Sequence, residues 1–103
     1  MSRKLRQGIS LDAVVTVVPE QVSCDVHDEV VVLNIRDGVY YGLNPVAARV
    51  WLLLQQPRAV VAIRDLLLDE FEVSSEECTS NLLDLLNQLR EWELIEARNG
   101  AHG

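Results

Sequence analysis

A chain of 103 residues, nearly half of them hydrophobic, has the length of one domain and the composition of a globular protein with a small core. Sixteen carboxylates against nine Lys and Arg give a net charge of −7, the wrong sign for a nucleic-acid backbone or an anionic membrane surface. No apolar run approaches the roughly 20 residues of a membrane span. The basic start M-S-R-K-L-R leads into no hydrophobic signal core, so a cytoplasmic protein is expected.

In chain order, residues 1–12 read as a flexible N-terminal arm. A-V-V-T-V-V at 13–18 is β-branched and stopped by Pro19, a short strand or extended lead-in. Residues 22–26 alternate apolar and polar, as a half-buried strand does, with His27-Asp28 as the turn into 29–35. Asp37-Gly38 is a hairpin turn, and 39–43 is the returning strand. A two-residue loop pairs Arg36 with Val39. A three-residue loop with a bulge at Gly38 pairs Ile35 with Val39, Leu33 with Tyr41 and Val31 with Leu43, which gathers the apolar side chains on one face and is preferred. Tyr40 and Gly42 then point to the other face.

Asn44-Pro45 opens a helix over 45–55, with Asn as cap and Pro at the first helical position; Pro57 ends it. A second helix covers 60–71, where Ile63, Leu66, Leu67 and Phe71 fall at helical spacing. Ser74-Ser75-Glu76-Glu77 is a capping box opening a third helix that runs to about Trp92. Its apolar stripe is Cys78, Leu82, Leu85, Leu86 and Leu89, with Leu83 on one flank and Asn81, Leu85 and Trp92 on the other. Leu94-Ile95 adds a short extended segment before a polar tail at 98–103. Residues 13–97 therefore form one α+β domain, winged helix-turn-helix-like: a three-stranded antiparallel sheet followed by three helices, with a fourth strand as an alternative.

Little in this pattern is catalytic. Cys24-x-x-His27 has the spacing of half a metal site, but only Cys78 and His102 remain as ligands of comparable softness, so no metal is expected. In a reducing compartment both cysteines read as small buried hydrophobes. Neither histidine has a nucleophile partner, and Gly38 and Gly42 belong to a hairpin rather than a phosphate loop, so neither an enzyme nor a cofactor is expected. Asp69, Glu70 and Glu72 crowd the end of the second helix, either a solvated end or a contact surface. What the pattern does offer is a groove: an edge strand at 39–43 beside a helix whose apolar stripe is too wide for a three-helix core. Such a groove takes a peptide that adds as a β-strand and buries alternate side chains.

G-V-Y-Y-G-L-N-P-V-A-A-R-V-W-L-L-L at 38–54 resembles the signature of PqqD-like proteins. The resemblance extends through I-R-D-L-L-L-D-E-F-E-V at 63–73 and N-L-L-D-L-L-N-Q-L-R-E-W-E-L-I-E at 81–96. It implies a leader-recognition domain of ribosomally made, modified peptides, in which the precursor's leader adds as a strand beside the third strand and against the third helix. The residues expected to bind peptide are Val39, Tyr40, Tyr41, Gly42 and Leu43 by their backbone edge, Leu82, Leu85 and Leu86 as an apolar floor, and Asn81 as a polar contact. Within the family, the free-standing form with a Y-Y-G-L-N hairpin is most similar to the recognition protein of lasso-peptide pathways, which implies a separate cysteine protease as partner and a cyclase acting next. Alternatives are a peptide chaperone for a radical-enzyme pathway, a winged-helix DNA regulator, and a scaffold that touches only a partner enzyme. Asn81 stands where many members carry Asp, and Glu93 where many carry Gly.

Overall fold

The computed structural model describes residues 8–19, 21–26, 29–35 and 37–99, with the backbone alone for 21–26, 29 and 99. His27, His102 and the side chain of Cys24 lie outside the described residues, and with them the question of metal ligation at that motif.

Among the described residues the architecture is mixed α and β, with six strands and three helices. Strands β1 (Ala13–Val17), β2 (Gln21–Val26), β3 (Glu29–Asn34) and β4 (Val39–Leu43) come first. Helix α1 (Pro45–Leu53) follows, then a two-residue strand β5 (Arg58–Ala59) and α2 (Val60–Glu70). The chain closes with α3 (Ser75–Glu91) and β6 (Ile95–Asn99). The strands form two antiparallel sheets, ordered β2-β3-β4 and β5-β1-β6.

The helices begin where their caps lie. Asn44 Oδ1 accepts from Ala47 N at 2.8 Å with Pro45 in the first turn, and Ser74 Oγ accepts from Glu77 N at 3.1 Å. Arg58 Nε donates to the Leu53 carbonyl at 2.6 Å, satisfying one of the acceptors that the end of α1 leaves open. Helix α3 ends in a Schellman motif: Glu93 N donates to Arg90 O at 2.9 Å and Leu94 N to Leu89 O at 3.0 Å, with Leu89 and Leu94 both buried. The motif places Glu93 at φ 64, a left-handed conformation that glycine adopts without cost.

Two expectations are corrected. The β3–β4 register is neither of the two weighed from the sequence. Asn34 pairs with Val39, Leu33 with Tyr40, Val32 with Tyr41 and Val30 with Leu43, so four residues lie between the last paired positions. Gly38, at φ 71, donates to Asn34 O at 2.8 Å, and Asp37 Oδ1 accepts from Val39 N at 3.1 Å to close the turn. Strand β4 keeps its expected faces, with Tyr41 and Leu43 inward and Tyr40 and Gly42 outward. Strand β3 is turned over: Val32 and Asn34 are buried, while Val31 and Leu33 share the outer side with Tyr40. The first strand does not extend the hairpin sheet. It is the centre of a second sheet, pairing with β5 on one side and along Ala13↔Asn99 to Val17↔Ile95 on the other.

This second sheet lengthens the packed part of the chain at both ends. Ile9 is buried, and its N–H donates to Asn87 Oδ1 at 3.1 Å; Leu11 O accepts from Val61 N; Arg98 lies within β6. The core lies between the sheets and helices and includes Val15, Val32, Val50, Trp51, Leu54, Ile63, Leu86, Leu89 and Leu94. No helix among the described residues is long and apolar enough to cross a membrane.

Candidate functional site

Strand β4 forms an edge: β3 is its sole neighbour in the described sheet. The segment V-Y-Y-G-L carries no charge and no proline, the devices that ordinarily keep such an edge from pairing. Val39 and Tyr40 are exposed at 43% and 68%, and a Cβ built on Gly42 meets no atom within 4 Å. Among the described residues the outer face of β4 at Tyr40 and Gly42 is therefore open.

Helix α3 approaches β4 and the residue after it at two points, in the opposite chain order. At one end the rings of Tyr41 and Trp92 stack with centroids 4.6 Å apart and planes 30° apart. At the other end Asn44, just past β4, lines a cavity together with Asn81 and Leu85 of α3. Three residues of strand cover about 10 Å, and the seven residues of helix from Leu85 to Trp92 cover about the same. The matched rises let strand and helix lie alongside each other between these two points, and we read the space between them as one trough. It is closed by Trp92 at one end and opens into the cavity at the other.

The cavity holds about 350 Å³. Val46, Ala47 and Val50 of α1 form one side. Leu67, Phe71 and Val73 form the second, and Cys78, Asn81, Leu82 and Leu85 the third. The lining is apolar with Asn44 and Asn81 as its polar points, the composition of a site that buries an apolar side chain and orients it through a few hydrogen bonds. Cys78 is free and buried, with Sγ 4.0 Å from the Arg64 carbonyl oxygen. Burial pushes its thiol pKa up, against a smaller opposing pull from Arg64, so the wall stays neutral. Outside the cavity Arg49 grips Glu70 at 2.7–3.1 Å and ties α1 to the end of α2. The hydrogen bond from Arg49 lowers the Glu70 pKa, with a smaller charge effect in the same direction. Part of the acidic cluster at that end is thus committed to structure, while Asp69 and Glu72 stay exposed.

Of the sequence-expected residues, Asn81, Leu82 and Leu85 line the cavity, and Val39, Tyr40, Tyr41, Gly42 and Leu43 form the adjacent edge. Leu43 is buried at 3%, so its side chain lies in the core and only its backbone is at that edge. Leu86 is placed differently: it is fully buried in the core and does not line the cavity. The wall turned to the trough is the flank Asn81, Leu85 and Trp92, recurring four and seven residues apart, whereas Leu86 lies with Leu82 and Leu89 on the core stripe. Phe71, Val73 and Val46 were missed as site residues. Their signal was available in the apolar residues beside the α1 cap and just beyond α2.

A winged-helix-like domain with a bare sheet edge beside an apolar helix flank is the class that fold and trough define. The family model of PqqD, coenzyme PQQ synthesis protein D, matches residues 29–95, and the chain belongs to this family. It is similar to TbiB1, solved in complex with the TbiA(beta) leader peptide: 33% identity and a TM-score of 0.73, over 79% of this chain and 94% of that one. It also shares its fold with lasso peptide synthetase B1 complexed with the leader peptide, at 23% identity and a TM-score of 0.72, over 80% of this chain and 96% of that one. No curated protein matches the chain.

Proposed function

We propose that this chain is a non-catalytic leader-peptide recognition domain of a lasso-peptide pathway. It captures a precursor by adding the leader as a strand to β4, and presents the precursor to a separate processing enzyme, the leader protease, ahead of a cyclase. The observation that carries this reading is the bare β4 edge lying along an apolar trough, in a chain 33% identical to a protein solved with its leader peptide.

The chemistry of capture follows from the parts. The unpaired N–H and C=O groups of β4 supply main-chain hydrogen bonds that any sequence can make. Selectivity comes from alternate side chains, one set directed to the cavity and the Leu85–Trp92 wall, the other to solvent. Duplex DNA is disfavoured as the ligand of α3, because Glu76, Glu77, Asp84 and Glu91 outnumber Arg90 on that helix.

The test is fluorescence anisotropy of labelled TbiA(beta) leader peptide titrated with this protein. Saturable binding at micromolar or tighter supports the reading. Absence of binding contradicts the lasso assignment and makes leaders of radical-enzyme pathways the next candidates.

A further inference from the structure

The walls of the trough differ in charge. Strand β4 carries none. On α3, Glu77, Asp84 and Glu91 recur every seven residues, and all three are exposed. By helical phase they lie about 80° round from the Asn81–Leu85–Trp92 wall, on its solvent side and away from the core stripe. They form an outer lip of carboxylates along the whole trough, spaced about 10.5 Å apart. None of the three side chains makes an ion pair or hydrogen bond among the described residues. Glu72, also exposed, stands between the cavity-lining Phe71 and Val73.

Among the described residues, the paired cations are engaged away from the lip. Arg49 is held by Glu70, and Arg64 by Asp65 at 3.2 Å. Arg90 turns to the opposite flank of α3, where its Nη2 donates to Asn87 Oδ1 at 3.1 Å. A strand lying on β4 therefore has its inward side chains among apolar groups and its outward side chains beside a row of unpaired carboxylates.

We propose that the trough selects leaders that are basic on their outward face, with Glu77, Asp84 and Glu91 as the specificity-determining residues. An extended strand rises about 3.4 Å per residue, so the lip from Glu77 to Glu91 faces about six residues of an added strand. Outward Lys and Arg stems cross the rim of the trough while their charged ends reach the carboxylates. The inference rests on the strand-addition reading and adds to it the charge class of the ligand.

The experiment uses three versions of the TbiA(beta) leader that keep its apolar residues and carry Lys, Ser or Glu at the outward positions. Affinities are measured by anisotropy at low and high salt. At low salt the Lys peptide is expected to bind about tenfold tighter than the Ser peptide, and the Glu peptide about tenfold weaker. High salt collapses the differences, because the Debye length falls to about 3 Å at 1 M. The triple variant Glu77→Gln, Asp84→Asn, Glu91→Gln is expected to erase the preference. The variant Asp69→Asn, Glu76→Gln, Glu96→Gln changes the net charge equally at exposed sites elsewhere and is expected to keep it. Equal binding of the three peptides at low salt overturns the charge inference and leaves strand addition standing. A preference erased equally by the second variant also overturns it, reducing the effect to net charge. Failure of the Ser peptide to bind at either salt overturns strand addition itself.

Discussion

The two sheets have the same strand number and opposite edges. In β5-β1-β6 the free edges are guarded: β5 is two residues long, and β6 carries Glu96 and Arg98. In β2-β3-β4 the edge strand β4 is five residues long, uncharged and bounded by an open trough. The flanks of α3 repeat the contrast. One is strapped: Asn87 accepts from Ile9 N and Arg90 and donates to Leu83 O at 2.8 Å, so the chain at Gly8 and Ile9 lies against that side. The other leaves Leu85 and Trp92 half-buried beside the bare edge. A small domain that guards both edges of one sheet and one flank of α3, and leaves β4 and the flank beside it uncovered, marks by that difference where a further strand fits.

The contrast is broken most strongly by Leu85→Glu. A carboxylate in the apolar cavity has no partner, and leader affinity is expected to fall at least about 100-fold. The melting temperature should hold, because Leu85 lies at the cavity wall rather than in the core. Anisotropy and thermal unfolding measure the two effects, and unchanged affinity would remove Leu85 from the site. Asn87→Ala attacks the strapped flank and should do the reverse. Losing its hydrogen bonds costs about 1–2 kcal/mol of stability with leader affinity unchanged; a matching loss of affinity would mean that the flanks are not independent. Glu93→Gly sharpens the picture least. Relieving a left-handed residue is expected to raise stability by about 0.5–1 kcal/mol, after the larger entropy loss of glycine on folding, with no effect on binding.

The parts of this account that were legible in the sequence are those set by local chemistry. Asn44-Pro45 and the Ser74–Glu77 box fix two helix starts, because a cap acts over three residues. The wall Asn81–Leu85–Trp92 was visible as a flank of the stripe, and what the sequence lacked was the side on which the hairpin sheet lies. The β3–β4 register was not legible. Val30 to Leu33 is apolar at every position, so both faces of β3 look buried and alternation carries no phase. Asn34, the residue that counting apolar side chains sends to the surface, is instead buried at 2%. The second sheet was hidden because β1 pairs with residues about eighty positions away, in a strand written partly in Glu, Arg and Asn. Its stability comes from nonlocal pairing rather than propensity.

The measurement that bears most directly on the central claim is backbone amide exchange with and without saturating TbiA(beta) leader. The account predicts slowed exchange at the outward-facing amides of Val39–Leu43, alternating along the strand, and no change along Ile95–Asn99 of the guarded sheet. Saturated peptide with β4 amides unchanged, or protection appearing at β6 instead, would contradict it.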